Sequence, residues 1–296
     1  MTDTSTAAQP AARAGATPAP SAPEQAALFR PPRERFLELR GTVSQHAALI
    51  YGLIGVVIFF AIWEGAHYIT PETQQKFLPS VEQVVGKIIT LFATEGYLAD
   101  VLKSLYRIYV SFIAACLIAV PLGVLMGCFV RLRALINPTV GGWRYLPAAS
   151  FVPLLLVWFG PTDLSKMALL FIGCIFFLIA LILDNTLAVP KELVESALTM
   201  GARRRQVVFN VIWRSAAPAI VDSMRNMIAV SWTYLVIAEI IAATDGIGAV
   251  MMRAGRFLYV DTIMGGILTI GVLGVLTDIA FRVSSRLLFP YLYARR

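Results

Sequence analysis

Apolar residues along this chain fall into long uninterrupted runs. Four runs, 47–63, 108–130, 145–162 and 167–183, contain no charged residue. Each is at or near the roughly 17–25 residues that a membrane-spanning helix needs. Two further runs, 226–244 and 262–281, each carry a single carboxylate, Glu239 and Asp278. The pattern predicts an all-α polytopic membrane bundle of about six transmembrane helices.

Composition agrees with this pattern. Hydrophobic residues make up 58% of the 296 residues and charged residues 15%, whereas soluble domains have about 45–50% and about 25%. The net charge of +7 is explained by topology. If the N-terminus is cytoplasmic and six spans alternate, 18 of the 25 Lys and Arg residues lie inside, as the positive-inside rule requires. We therefore expect both termini in the cytoplasm of a bacterial inner (plasma) membrane protein, and no nucleic-acid partner.

The segments outside the spans differ in character. Residues 1–30 are rich in Ala and Pro and are predicted to be a disordered cytoplasmic tail. Residues 31–46 mix Arg and Glu with Phe and Leu, which suits an interfacial helix on anionic lipid and equally a solvated tether. A transmembrane domain is predicted at 47–290, and a short cytoplasmic tail at 291–296.

Local patterns within and between the spans predict specific packing. Apolar residues recur at helical spacing over 81–92, between the first two spans, and predict an amphipathic helix. In the second span, Gly123 and Gly127 have the spacing that allows close helix approach. Pro147 and Pro153 interrupt the third span, and hydrocarbon tolerates such a break only beside protein or a water-filled cavity. Both prolines are therefore candidates for lining a translocation path.

Residue types for covalent chemistry are sparse. The three cysteines fall inside predicted spans, and the two histidines lie far from them in sequence. We therefore expect no metal site, no cofactor bound by this chain and no enzymatic activity. A G-x-x-x-x-G-K-[ST] phosphate loop is also missing from the sequence, so any ATP hydrolysis would require another polypeptide.

Charged residues within the spans admit two interpretations each. Glu239 shares a helical stripe with Trp232, so both could face a central path; alternatively, Glu239 caps the turn at 244–248. Lys103 and Arg107 could steer an anion at the mouth of the second span or anchor to lipid headgroups. Asp278 precedes Arg282 by four residues, which favours a helical ion pair.

The segment between the fourth and fifth spans, residues 190–218, is too structured for a linker. Pro190 is placed to begin a helix and Gly201 to end it, and a second helix is predicted from Arg203 to Val211. Two helices around a glycine turn would project from the membrane towards a soluble partner. Docking of a helix into a groove of that partner is the expected mode.

Within this segment, Glu195, Ala197 and Gly201 resemble the "EAA" loop of binding-protein-dependent ABC importer permeases. The match has the same spacing, Glu-x-Ala-x-x-x-Gly. Residues 150–160 and 231–248 are similar to the nitrate, sulfonate, taurine and bicarbonate branch of that family. The resemblance implies an ATPase-coupling loop that includes Glu195, Ala197, Gly201, Ala202, Arg203, Arg204, Arg205 and Phe209.

The resemblance also implies a function and partners. The chain would form the path for a small anionic solute such as nitrate, a sulfonate, taurine or bicarbonate. Its partners would be a second permease copy, two cytoplasmic ATP-binding subunits that carry ATP and Mg, a periplasmic substrate-binding protein and membrane lipid. The alternatives are an ion-gradient-driven secondary transporter, which would have several intramembrane ionisable groups, and a membrane enzyme or receptor, which would have a convergent catalytic set or a large soluble domain.

Overall fold

A computed structural model describes residues 43–241 and 244–293. The described residues are helical and contain no strand. The chain divides into two compact units, residues Met1–Phe59 and Phe60–Arg296. Of the first unit the structure describes residues 43–59, which begin helix α1. Ten helices of eight or more residues are described: α1 (Gln45–Ile69), α2 (Val81–Thr94), α3 (Tyr97–Cys128), α4 (Val130–Trp143), α5 (Val152–Phe159), α6 (Asp163–Leu187), α7 (Lys191–Thr199), α8 (Trp213–Ile241), α9 (Ile247–Arg256) and α10 (Val260–Leu288).

The predicted membrane bundle is confirmed, with one correction. Five described helices are long and apolar enough to span a membrane: α1, α3, α6, α10 and the continuous run Arg204–Ile241 that contains α8. The third predicted span, 145–162, is instead the second arm of a pair bent by 82°, made of α4 and the segment Ala148–Phe159. The prediction missed α4 because arginines and a proline interrupt its apolar sequence.

The direction of the helices shows that the bent pair crosses the bundle. Arg107, near the start of α3, binds Asp163 at the start of α6. Gly123, near the end of α3, lies against Ile182 near the end of α6. The two helices are therefore parallel, and the chain must return from one end of the bundle to the other between them. The bent pair makes that return, so six crossings result.

The break in the bent pair has a local cause. Proline lacks a backbone N–H and disfavours helical geometry in the residue before it, and Pro147 stands where α4 has ended. A single 3-10 turn, Ala148–Phe151, follows, and Pro153 lies in the first turn of α5. Arg144, predicted to lie in a cytoplasmic loop, is at this break instead.

Close helix packing depends on small residues, as the sequence predicted. A Cβ atom on Gly123 would lie 2.7 Å from Cγ2 of Ile182, and a Cβ on Gly127 would overlap Thr186. The core around this contact consists of buried, mostly aliphatic residues of α3, α6 and α8, together with Val140 of α4. The amphipathic helix predicted over 81–92 is confirmed as α2, which begins with a capping box formed by Ser80 and Gln83.

The predicted segments near the two termini are described only in part. Residues 1–42 lie outside the described residues. They include the predicted tail at 1–30 and most of the predicted interfacial helix at 31–46. The last two residues of that predicted helix, 45 and 46, belong to α1. At the other end, a single helical turn, Pro290–Tyr293, follows α10. Residues 294–296 lie outside the description.

Candidate functional site

A cluster of charged side chains joins three helices at one end of the bundle. We call Arg107, Asp163, Lys166, Glu239 and Asp245 the ionic cluster. Arg107 of α3 is fully buried and donates to Asp163 Oδ1 through Nε at 2.9 Å. It also donates to Glu239 Oε1 at 2.8 Å and binds the carboxylate of Asp245. One guanidinium thus holds three carboxylates, using the forked donors that distinguish arginine from lysine.

Both carboxylate oxygens of Glu239 accept hydrogen bonds, although the residue is completely buried. Besides Arg107, the hydroxyl of Ser104 donates to its carboxylate at 2.7 Å and the backbone N–H of Gly248 donates at 2.9 Å. A buried charge with these partners avoids the cost of several kcal/mol that an isolated carboxylate would incur. The hydrogen bond from Gly248 is the one expected if Glu239 caps the turn at 244–248.

Asp245 connects the cluster to two lysines. Lys166, which is also buried, donates to its Oδ1 at 2.9 Å, and Lys103 donates to Oδ2 at 2.6 Å. Burial by itself would raise the pKa of Asp245, but the bonds from Lys103, Lys166 and Arg107 outweigh it and hold that pKa below the ordinary range. Asp245 is therefore a carboxylate at any physiological pH.

The turn after α8 needs glycine to reach Glu239. Gly246 has φ +99°, and a Cβ atom there would overlap the Glu239 carboxylate. A Cβ on Gly248 would lie 2.7 Å from the Cβ of Glu239. The backbone N–H of Gly246 donates to Asp100 at 2.7 Å, which attaches the turn to α3. The sequence Asp-Gly-Ile-Gly at 245–248 is thus shaped around one buried carboxylate.

Sequence analysis identified only part of this cluster. Glu239 was recognised as special, but Lys103 and Arg107 were expected to meet an anion or lipid headgroups. For Arg107 that expectation is wrong, because its guanidinium is buried and bound to carboxylates of the chain itself. Lys103 also binds a carboxylate of the chain, but half of its side chain remains exposed. The partners are 56 to 142 residues apart in sequence, so no local pattern could pair them. The one feature of the sequence that could have pointed to the cluster is that several predicted spans have a charged residue near one end.

The predicted path residues occupy two different settings. Trp232 and Glu239 both lie on the buried side of α8 and face the interior of the bundle. Pro147 and Pro153 are exposed, on either side of the 3-10 turn between α4 and α5. The structure does not bring these two pairs together into one lining, and their role in the path stays a prediction.

The opposite side of α8 carries a feature that the sequence analysis missed. At alternating spacings of four and three residues, this side exposes a row of small or polar residues, which Val230 borders: Ser215, Ala219, Asp222, Asn226, Ala229 and Thr233. We call these residues the α8 stripe. The exposed side of α10 is apolar by contrast, with Val272, Leu276 and Ile279. A helical-wheel comparison of the two sides of the fifth span would have revealed the stripe.

At the end of the bundle opposite the ionic cluster lies the coupling segment, residues 190–218. Helix α7 ends at a turn in which Gly201 has φ +82° and Ala202 N–H donates to Ala197 O at 3.0 Å. The second helix, predicted for Arg203–Val211, is not separate. It continues through a π-helical segment, Val207–Ile212, into α8, and Pro218 lies inside α8 without ending it.

Most of the coupling segment is open to solvent. Ala197 is buried, whereas the other predicted coupling residues are exposed or partly exposed: Glu195, Gly201, Ala202, Arg203, Arg204, Arg205 and Phe209. Large apolar residues are exposed as well, with Met200 at 82% and Phe209 at 58%. Exposed apolar side chains on a projecting element mark an interaction surface. No group of described His, Cys, Asp and Glu residues could hold a metal ion.

Comparison with known proteins gives this arrangement a family. Residues 119–290 match the model of the family described as binding-protein-dependent transport system inner membrane component. The chain is 32% identical over 266 residues to the taurine transport system permease protein TauC of Escherichia coli, covering 87% of this chain and 94% of that protein. It is 23% identical to the nitrate import permease protein NrtB of a Synechocystis strain, over 76% of this chain and 84% of that protein.

Solved structures agree on the fold. The match to an inward-facing structure of the MetNI methionine ABC transporter covers 64% of this chain and 94% of the matched chain, with a TM-score of 0.58 and 20% identity. A bacterial ABC transporter involved in import of alginate covers 82% and 96%, with a TM-score of 0.52 and 16% identity. Both similarities show the fold alone. The match over more than half of the chain, together with full-length similarity to a permease, shows that this protein belongs to the binding-protein-dependent transport system inner membrane component family, the permeases of ABC importers.

Proposed function

We propose that this chain forms the path for a small anionic solute, with a sulfonate such as taurine as the first candidate. The similarity to a taurine permease over 94% of that protein's length supports this proposal most strongly. Nitrate and bicarbonate are the further candidates within the same branch. The substrate would be delivered by a periplasmic binding protein, and the chain itself would carry out no covalent chemistry.

Transport in this proposal is driven through the coupling segment. Two cytoplasmic subunits would bind ATP and Mg and contact α7 and the turn at Gly201. The exposed side chains of Leu193, Leu198 and Met200 support this assignment, because a soluble protein would bury them on docking. Partners that bind one of the two states more tightly than the other would then shift the bundle between outward-open and inward-open states.

The path in this proposal runs between two identical copies of the chain and is bordered by the α8 stripe. Polar groups that face hydrocarbon are costly, whereas they are stable against water or protein. Asn226 and Thr233 are exposed and have no side-chain hydrogen bond within the described part of the chain. Their amide and hydroxyl groups are therefore available to a passing anion. The apolar exposed side of α10 suits contact with lipid.

Orientation follows from the distribution of positive charge. With both termini in the cytoplasm, the coupling segment lies inside and the ionic cluster lies near the periplasm. A reporter fused after Arg296 should report the cytoplasm and one inserted at Thr73 the periplasm. A periplasmic C-terminus would contradict the six-span topology.

The substrate test uses proteoliposomes that contain this permease with its ATPase subunits and binding protein. We expect ATP-dependent uptake of taurine that a protonophore does not abolish. Uptake driven by a proton gradient without ATP would contradict the ABC mechanism, and ATP-dependent uptake of nitrate or bicarbonate alone would reassign the substrate. Asn226→Leu should lower uptake while folded yield is retained, whereas Leu276→Val on α10 serves as a lipid-facing control.

A further inference from the structure

An apolar groove lies beside the coupling segment. It has a volume of about 300 Å³ and is lined only by apolar side chains of α3 and of the run that leads into α8. Val124 and Leu125 form the α3 wall, and Phe209 and Trp213 form the opposite wall. Phe209 and Leu125 are exposed, so the groove opens outwards from the bundle.

The groove lies at the depth of a membrane–water boundary. Pro121, which also lines it, precedes the end of α3 at Cys128 by seven residues, or about 10 Å along the helix. Trp213 begins α8, and tryptophan is the residue that most favours this boundary. The groove thus spans the region where lipid headgroups meet the first acyl carbons.

A cation stands at the edge of the groove. The guanidinium carbon of Arg205 lies 5.8 Å from the ring centre of Phe209, close enough for a cation–π contact. Arg205 is exposed, as are Arg203, Arg204 and Arg214. No carboxylate lies within 4.0 Å of these four arginines among the described residues. The positive charge beside the groove is therefore not neutralised by the chain itself.

We infer that this groove binds an anionic phospholipid, with an acyl chain between α3 and Phe209 and the phosphate on Arg205. We choose this ligand because its negative charge complements the arginines and its acyl chain complements the apolar walls. A free anion would have no use for the apolar walls, and a neutral lipid would leave the arginines unpaired. Unpaired basic groups next to apolar surface at a cytoplasmic membrane face are typical of anionic lipid sites. The inference goes beyond the proposed transport function and requires neither the substrate nor the ATPase.

The test uses the full-length chain alone in phosphatidylcholine vesicles that contain a phosphatidylglycerol with a photoactivatable acyl chain. Crosslinked peptides are identified by mass spectrometry. We expect adducts on the peptides that carry Leu125 and Phe209. An equal amount of photoactivatable phosphatidylcholine should label these peptides clearly less, because only the phosphate of phosphatidylglycerol leaves a net negative charge.

Two variants separate the charge from the groove. Arg205→Gln should lower phosphatidylglycerol labelling about fivefold, the effect of one surface arginine on anionic lipid. Leu125→Trp should fill the groove and lower labelling by both lipids. Arg131→Gln, which removes an exposed arginine at the same end of the bundle, should leave labelling unchanged.

Several outcomes would overturn the inference. Equal labelling by the two lipids, or an unchanged signal in Arg205→Gln, would show that the arginine does not select the headgroup. Groove peptides labelled by neither lipid would show that no acyl chain enters the groove. Because ATP-driven transport is not measured, failure of this test leaves the proposed function standing.

Discussion

The two ends of the bundle are built on opposite principles. At one end, the ionic cluster buries Arg107, Lys166 and Glu239 completely or nearly so and connects three helices through short charged bonds. At the other end, the coupling segment exposes its arginines and several apolar side chains. Its shape depends on one backbone turn at Gly201.

This difference shows where the molecule can and cannot adapt. A buried charge network has one good geometry, because any displacement leaves a desolvated charge without its partner. An exposed helix and turn lose little when they shift, and a docked partner can define their position. We therefore expect substitutions at the ionic cluster to affect folding and substitutions in the coupling segment to affect communication with partners.

The largest effect is expected from Arg107→Met, which leaves Glu239 and its neighbours without their shared cation. Breaking a buried ion pair by removing one partner costs about 3–5 kcal/mol. The folded yield and the thermal unfolding temperature in detergent should both fall sharply. Lys103→Met is the matched control, because its side chain is 53% exposed and an exposed pair contributes about 0–1 kcal/mol. Similar losses in the two variants would remove the distinction between the buried and exposed cations.

The next effect is expected from Gly246→Ala, where the new Cβ would overlap the Glu239 carboxylate. The positive φ costs about 1–2 kcal/mol, and the overlap adds to it, because overpacking typically costs about 1–3 kcal/mol. Gly96→Ala is the control, since Gly96 also has a positive φ, +66°, but open space around it. Comparing the unfolding temperatures of the two variants should separate the backbone cost of the positive φ from the cost of the overlap with Glu239. If they lose the same stability, the turn does not depend on contact with Glu239.

At the opposite end, Gly201→Val should act on coupling and only weakly on folding. A Cβ atom at φ +82° meets no neighbour within 4 Å, so the cost is that of the backbone conformation, about 1–2 kcal/mol for an L-residue and more for a β-branched one. We expect normal membrane insertion but weaker co-purification of the ATPase subunits, or ATP hydrolysis that no longer responds to loaded binding protein. Gly201→Asn is the matched control, since asparagine tolerates this conformation better. Full association and stimulation in Gly201→Val would exclude this turn as the coupling element.

The smallest effect is expected from Arg282→Ala on α10. The predicted pair with Asp278 is confirmed, with Nε of Arg282 at 2.6 Å from Oδ2 of the carboxylate. Both side chains are more than a third exposed, and such helical pairs contribute about 0.2–0.5 kcal/mol. The unfolding temperature should change barely, and less at high salt. A loss comparable with that of Arg107→Met would show that exposure does not separate strong from weak ion pairs in this protein.

Prediction from sequence succeeded where the signal is local. Long apolar runs identified five of the spans, helical spacing identified α2, and four-residue spacing identified the Asp278 and Arg282 pair. The Glu-x-Ala-x-x-x-Gly spacing pointed to the turn at Gly201, whose positive φ the structure bears out. Prediction failed at α4, whose arginines and proline weaken its apolar signal and of whose residues only Val140 is buried.

The sequence by itself determined the membrane location, the number of crossings and the position of the coupling segment, because each depends on residues that are neighbours along the chain. Only the tertiary structure decided the partners of Arg107, the side of α8 that is buried and the presence of an apolar groove beside Arg205. These depend on which helices run parallel and on contacts between residues far apart in sequence, such as Arg107 and Asp245, which are 138 positions apart. A polar residue in a span signals that it needs a partner, but the three-dimensional packing selects which one.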